Sequence, residues 1–175
     1  MLLAIYISII LILGVVFVQD LMYRGVTWYL FPILLIGLLS VRLLSGESIT
    51  SIGQSSLVNF VIVLMVLLVL TLYLFLRNGR IVNMTKDHLG IGDIVFLGVV
   101  ACYLSVLNFL LFFNVSLVCT VLLYLLLKGI TRSRFIPLAG FQSLVFILFL
   151  VGDRWYYHFH ITDDAWLLRL YYPWA

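Results

Sequence analysis

Residues 94–127 read IVFLGVVACYLSVLNFLLFFNVSLVCTVLLYLLL, with no charged side chain between Asp93 and Lys128. As one continuous helix this stretch would run roughly 50 Å at about 1.5 Å per residue, too long for a single crossing of a hydrocarbon layer about 30 Å thick. It therefore reads as two spans joined by a tight turn. That turn is expected between Asn108 and Asn114, the strongly polar side chains in the region.

Working outward, four more apolar runs appear: Leu2 to Val18, Thr27 to Leu44, Leu57 to Leu76 and Ile136 to Val151. With Ile94 to Leu107 and Phe109 to Leu127 they make six candidate spans. At 65% hydrophobic and 10% charged residues, with a mean hydropathy of +1.26, the chain lies far from the composition of a soluble domain. The expected fold is all-α and polytopic, because only helices satisfy every backbone polar group within one lipid-embedded segment. A single transmembrane domain, residues 1–151, is expected, followed by an aromatic extracytoplasmic tail, residues 152–175. The tail carries Trp155, Tyr156, Tyr157, Phe159, Trp166, Tyr171, Tyr172 and Trp174, rings suited to the headgroup layer. Ser45 to Ser56 reads as an external loop and Arg77 to Gly92 as a cytoplasmic one. The first segment has no basic leader region or small-residue cleavage site, so it reads as a retained helix.

Lysine and arginine set the orientation. Under six spans, Arg24, Arg77, Arg80, Lys86, Lys128, Arg132 and Arg134 share one side, against Arg42, Arg154 and Arg169 on the other. The richer side is expected to be cytoplasmic, with the amino terminus outside. This topology accounts for the net charge of +3 without a nucleic-acid partner. Cys102 and Cys119 fall within spans, where a thiol behaves as a small apolar group, and His158 and His160 lack a third ligand. Neither a metal nor another cofactor is expected.

Asp20 and Asp93 stand out among seven carboxylates. Each lies where an apolar helix meets the cytoplasmic side, and an acid at hydrocarbon depth is a functional candidate with a partner to be named. Each is the natural partner of the other. Two carboxylates sharing a proton can hydrolyse a peptide bond, the ionised one activating water and the protonated one donating to the carbonyl oxygen or leaving nitrogen. Gly90 and Gly92 precede Asp93; lacking Cβ, they permit positive φ or close approach of a substrate strand or neighbouring helix. They also place Asp93 at the start of its helix, where the dipole favours a negative charge, whereas Asp20 would end its own helix, where the dipole favours protonation. This makes Asp93 the expected base and Asp20 the expected acid. A purely structural role is the competing account: Asp93 as a helix cap, and Asp20 paired with Arg24.

The stretch Asp20, Leu21, Met22, Tyr23, Arg24, followed later by Gly90, Ile91, Gly92, Asp93 and then by Arg134, Phe135, Ile136, Pro137, Leu138, Ala139, Gly140, Phe141, resembles the type IV prepilin peptidase family of GxGD aspartic proteases. The resemblance implies a leader endopeptidase of the bacterial inner membrane with its site facing the cytoplasm. Its substrate would be a prepilin or pseudopilin-like membrane protein. By that resemblance Asp20 and Asp93 are the catalytic pair, and Gly90 and Gly92 are the motif glycines. The chain departs from many members in having Val95 two residues after the second acid and Gly25, Val26, Thr27, Trp28 after the first. It has no room for the methyltransferase region of larger members, so N-methylation is not predicted. Two rivals use the same residues: a transporter or assembly subunit relaying protons or binding a cation, and an inactive scaffold.

Overall fold

The structure is a computed structural model that describes residues 2–78, 90–127, 138–157 and 160–171. The described residues form α1 (Leu2–Tyr23), α2 (Leu30–Leu44), α3 (Ile49–Asn78), α4 (Ile91–Ala101), α5 (Val106–Leu127) and α6 (Leu138–Val151). A π-helical turn, Gly152–Tyr157, and a short α7, Ala165–Tyr171, follow. Strands are absent among the described residues. By length and apolarity α1, α3 and α5 can each cross a membrane, whereas α2 and α4 are shorter apolar helices.

Helix α6 forms the axis of the bundle, packed against α1, α4 and α5. Its Phe146 is fully buried and takes ring edges from Phe96, Tyr103 and Phe112, with centroids 6.4, 6.0 and 5.5 Å away. Such pairs contribute about 0.5–1.5 kcal/mol each beyond area burial, which matters because lipid supplies no hydrophobic drive between helices. On α1 the buried residues are Tyr6, Ile9, Leu13, Val16 and Asp20. Their spacing of three and four residues is one helical stripe, and Asp20 is its last member. On α2 a similar stripe runs through Leu34, Leu38 and Val41 to buried Arg42.

Two boundaries differ from expectation. The turn between the fourth and fifth helices lies at Cys102 to Ser105, ahead of Asn108, because there its polar groups find partners. The Asn59 amide on α3 donates to the carbonyls of Ala101 and Leu104 at 2.9 and 2.8 Å, and Arg42 donates to that of Cys102 at 3.1 Å. Asp164, just before α7, takes the Ser105 hydroxyl at 2.6 Å and the amides of Leu107 and Asn108 at 3.0 and 3.3 Å, capping α5. Asn114 instead lies inside α5 and bonds to the Leu110 carbonyl. The second difference is that α3 starts at Ile49, so the expected loop Ser45 to Ser56 shrinks to residues 45–48. Ser48 opens that helix by accepting the Ser51 amide, an N-terminal signal in a stretch read only as polar.

The tail is fastened to the bundle. Trp166 donates its indole N–H to Asn108 at 3.2 Å, and buried Ile161 takes the Ser105 amide on its carbonyl. His158, Phe159, Tyr172 and Trp174 lie outside the described residues, as do Arg80, Lys86, Lys128, Arg132 and Arg134.

Candidate functional site

The amino-terminal turn of α6 brings the two acids together. A helix leaves its first backbone N–H groups without internal partners, and Pro137 just before α6 has no N–H to offer. Asp93 Oδ1 accepts the Ala139 amide at 2.7 Å, and Asp20 Oδ2 accepts the next amide, Gly140, at 2.6 Å. Because those nitrogens belong to adjacent residues, the two bonded oxygens lie less than about 9 Å apart. Residues separated by more than seventy positions in the chain thus meet on consecutive peptide units.

Asp93 is the third residue of α4. Its second oxygen accepts the Gly90 amide at 3.0 Å, closing the first turn of its own helix. The capping role weighed from sequence is therefore present, but it occupies one oxygen only; the other reaches across to α6. Asp20 is 7% exposed and leaves Oδ1 without a hydrogen-bond partner among the described residues. Among the described residues it forms no salt bridge with Arg24, whose backbone takes φ of +53° as α1 ends and whose charge acts on Asp20 only at longer range. The close pairing offered as a structural role for Asp20 is thus reduced to a longer-range attraction.

Asp93 lies in the first turn of α4 and Asp20 in the last turn of α1, the placement expected from sequence, and the positive end of α6 adds a contribution of the same sign at both carboxylates.

The glycines divide in their roles. Neither Gly90 nor Gly92 takes positive φ. A Cβ on Gly90 would stand 3.1 Å from Asp93 Oδ2, whereas one on Gly92 would meet only Phe31 Cζ, at 3.9 Å. The tightest requirement falls on Gly140, where a Cβ would stand 3.1 Å from both Cβ and Oδ2 of Asp20 and 3.4 Å from the Phe17 carbonyl. That residue is where α1 and α6 approach closely enough for the Asp20 bond. The sequence held one sign of it, the Leu138 to Phe141 segment after Pro137, without revealing its job.

Depth is the main correction. The Asn59 bonds to Ala101 and Leu104 fix the antiparallel register of α3 and α4, which sets Asp93 level with about Leu67. Helix α3 stays largely apolar from there to Leu76, about 13 Å further along. On α5, Ser116 meets Gln142, so Ala139 lies level with about Cys119 and apolar sequence continues some 12 Å to Leu127. Side chains on those extensions, among them Leu72, Leu76, Leu122 and Leu126, are more than half exposed and suit lipid. The acids are therefore recessed between two longer helices rather than placed at the rim.

Among the described residues no three His, Cys, Asp or Glu side chains gather as a metal site, and Cys102 and Cys119 are free thiols. A cavity of about 610 Å³ opens between α3 on one side and α4, α5 and α6 on the other. Its walls include Val66, Val69, Leu117 and Leu138, the last being the residue before Ala139. Comparisons with protein-family models, curated proteins and solved structures find no match to this chain.

Proposed function

We propose that the chain is a membrane aspartic endopeptidase that removes the leader of a prepilin or pseudopilin-like substrate on the cytoplasmic side of a bacterial inner membrane. The observation that carries this reading is the convergence of Asp20 and Asp93 on the successive amides of Ala139 and Gly140. Two like charges at that spacing do not both ionise cheaply, so the pair holds one proton between them and titrates as a unit. The ionised member takes a proton from water as the water attacks the scissile carbonyl. The protonated member supports the developing oxyanion and passes its proton to the leaving nitrogen. The free Oδ1 of Asp20 is a place for that water, and the amides of α6 hold both carboxylates during the exchange.

In this account six helices cross the bilayer, with α2, α4 and α6 shorter than a full span where the acids are recessed. The end bearing Asp20 and Asp93 faces the cytoplasm, by the excess of basic residues there. Recession alone suits a transporter as well as a peptidase. The adjoining cavity is what supports the peptidase reading over transport, since it has room for apolar side chains of a polypeptide.

Co-expression of a prepilin with wild type, Asp20→Asn and Asp93→Asn tests the proposal, with leader removal followed by pilin mobility. Asparagine still accepts the α6 amide bond but cannot exchange a proton, so both variants fold and neither cleaves. Normal processing by either one refutes the dyad, whereas proton-coupled flux in liposomes without cleavage supports transport.

A further inference from the structure

Asp20 and Asp93 are carried by helices that do not pack along each other. Helices α1 and α4 are joined by two bridges: α6, whose amides hold the carboxylates, and α2, which packs on both. The spacing of the acids therefore depends on α2 as well as on α6. Where α2 begins, one side chain ties it to α1.

That side chain is Gln19, the residue before Asp20. The Thr27 amide donates to Gln19 Oε1 at 3.0 Å, and the Thr27 hydroxyl donates to the same atom at 2.8 Å. A backbone N–H only donates, so the group facing it is the Gln19 carbonyl oxygen, with both of its lone pairs engaged. Gln19 and Thr27 are partly buried, and among the described residues no other side chain bonds to the corner 24–29. Backbone bonds close the rest of it. The Arg24 amide returns to the Asp20 carbonyl at 3.0 Å, and the Thr27 carbonyl accepts the Leu30 amide at 3.1 Å as α2 opens.

Thr27 lies in the stretch where the chain departs from the family it resembles. One helical turn beyond it, buried Phe31 points its ring at Gly92, whose Cβ position is 3.9 Å from Phe31 Cζ. The start of α2 is thus a wedge. It is hydrogen-bonded to the turn of α1 that bears Asp20 and seated by an aromatic ring against the turn of α4 that bears Asp93.

We propose that Gln19 is a positioning residue for the dyad: by holding Thr27 it keeps this wedge in place and so sets the distance between Asp20 and Asp93. Its effect on turnover rests on the peptidase reading, whereas its effect on spacing does not. Without the acceptor, both Thr27 donors turn to water and backbone bonds alone hold the corner. The acids keep their α6 amides and lose the second bridge, so fewer molecules hold them where one proton serves both. Such a loss is one of geometry and falls on kcat.

Two experiments in membranes test it. The first reads spacing without chemistry. The full chain with Cys102→Ala, Cys119→Ala, Asp20→Cys and Asp93→Cys is treated with a short bis-methanethiosulfonate cross-linker, with and without Gln19→Met, which keeps the length and helix preference of glutamine and removes the acceptor. Cross-linking within one chain follows the effective concentration of one thiol about the other, so a yield cut to about one-fifth or less by Gln19→Met supports the proposal. Equal yields, including none in either chain, overturn it. The second experiment follows cleavage of a prepilin. Gln19→Met is expected to lower kcat about ten- to a hundredfold with KM within about threefold, and Thr27→Val, which keeps the amide bond and loses the hydroxyl, should fall between it and wild type. A wild-type kcat, or a raised KM with kcat unchanged, overturns the positioning role. If wild type does not cleave the prepilin, the peptidase reading falls, and the cross-linking result still decides what Gln19 holds.

Discussion

Gly140→Ala is the perturbation that separates motif from geometry. The added methyl would stand 3.1 Å from Asp20 Cβ and Oδ2 and 3.4 Å from the Phe17 carbonyl, with Oδ2 held at 2.6 Å by the Gly140 amide. Helix α1 must therefore shift by a few tenths of an ångström, or the Asp20 carboxylate must leave its amide. Overpacking of this kind costs about 1–3 kcal/mol, and loss of a hydrogen bond to a charged group about 1.5–3 kcal/mol. If Asp20 sits out of place by that amount in the transition state, cleavage slows about ten- to a hundredfold. Gly92→Ala is the control, since its methyl meets nothing nearer than Phe31 Cζ at 3.9 Å, and it should process within about twofold of wild type. The assay is the rate of leader removal by solubilised enzyme, with thermal unfolding measured alongside. A Gly140→Ala variant with wild-type rate and melting temperature, beside a Gly92→Ala variant that is inactive, would refute the reasoning.

Three further predictions follow from the same contacts. Asp164→Ala withdraws the acceptor shared by Ser105, Leu107 and Asn108, and should lower stability by about 0.5–2 kcal/mol, read as a lower melting temperature in detergent; an unchanged value would mean the tail does not cap α5. Glu47→Ala strands the guanidinium of Arg42, which is 1% exposed and bonded to Glu47 Oε2 at 2.6 Å. The expected cost is about 1–3 kcal/mol, below that of a fully dry pair because Glu47 keeps contact with solvent, and an unaltered thermal midpoint would contradict it. Cleavage by the wild type should peak with pH and decline on both sides, as the base is protonated at the acidic end and the acid is lost at the alkaline end. A rate that climbs steadily to high pH would instead point to a single base.

The apolar runs and the two acids could be read from the chain because lipid imposes length on helices and makes an acid conspicuous. Which face of each helix turns inward could not. On α1, lipid-facing Leu3, Leu11 and Val15 are as apolar as buried Ile9, Leu13 and Val16, so hydropathy carries no contrast between the faces. The stripe that ends at Asp20 emerges only from packing. The Cys102 to Ser105 turn was hidden for a related reason: its polar partners, Asn59, Arg42 and Asp164, come from distant segments. The recess of the acids depends on the register between α3 and α4, which one hydrogen-bonded asparagine sets and no local pattern announces. The stretch Arg77 to Gly92, read as a cytoplasmic loop, lies mostly outside the described residues, as do Ile136 and Pro137 of the third motif.

The central claim is that Asp20 and Asp93 act as one unit on the start of α6, and the most direct measurement compares three rates of leader cleavage: Asp20→Asn, Asp93→Asn and the double variant. A shared-proton pair predicts that each single change removes cleavage and that the double variant is no worse than either, since half of the unit is worth nothing alone. Substantial cleavage by one single variant, or losses that multiply in the double variant, would contradict it.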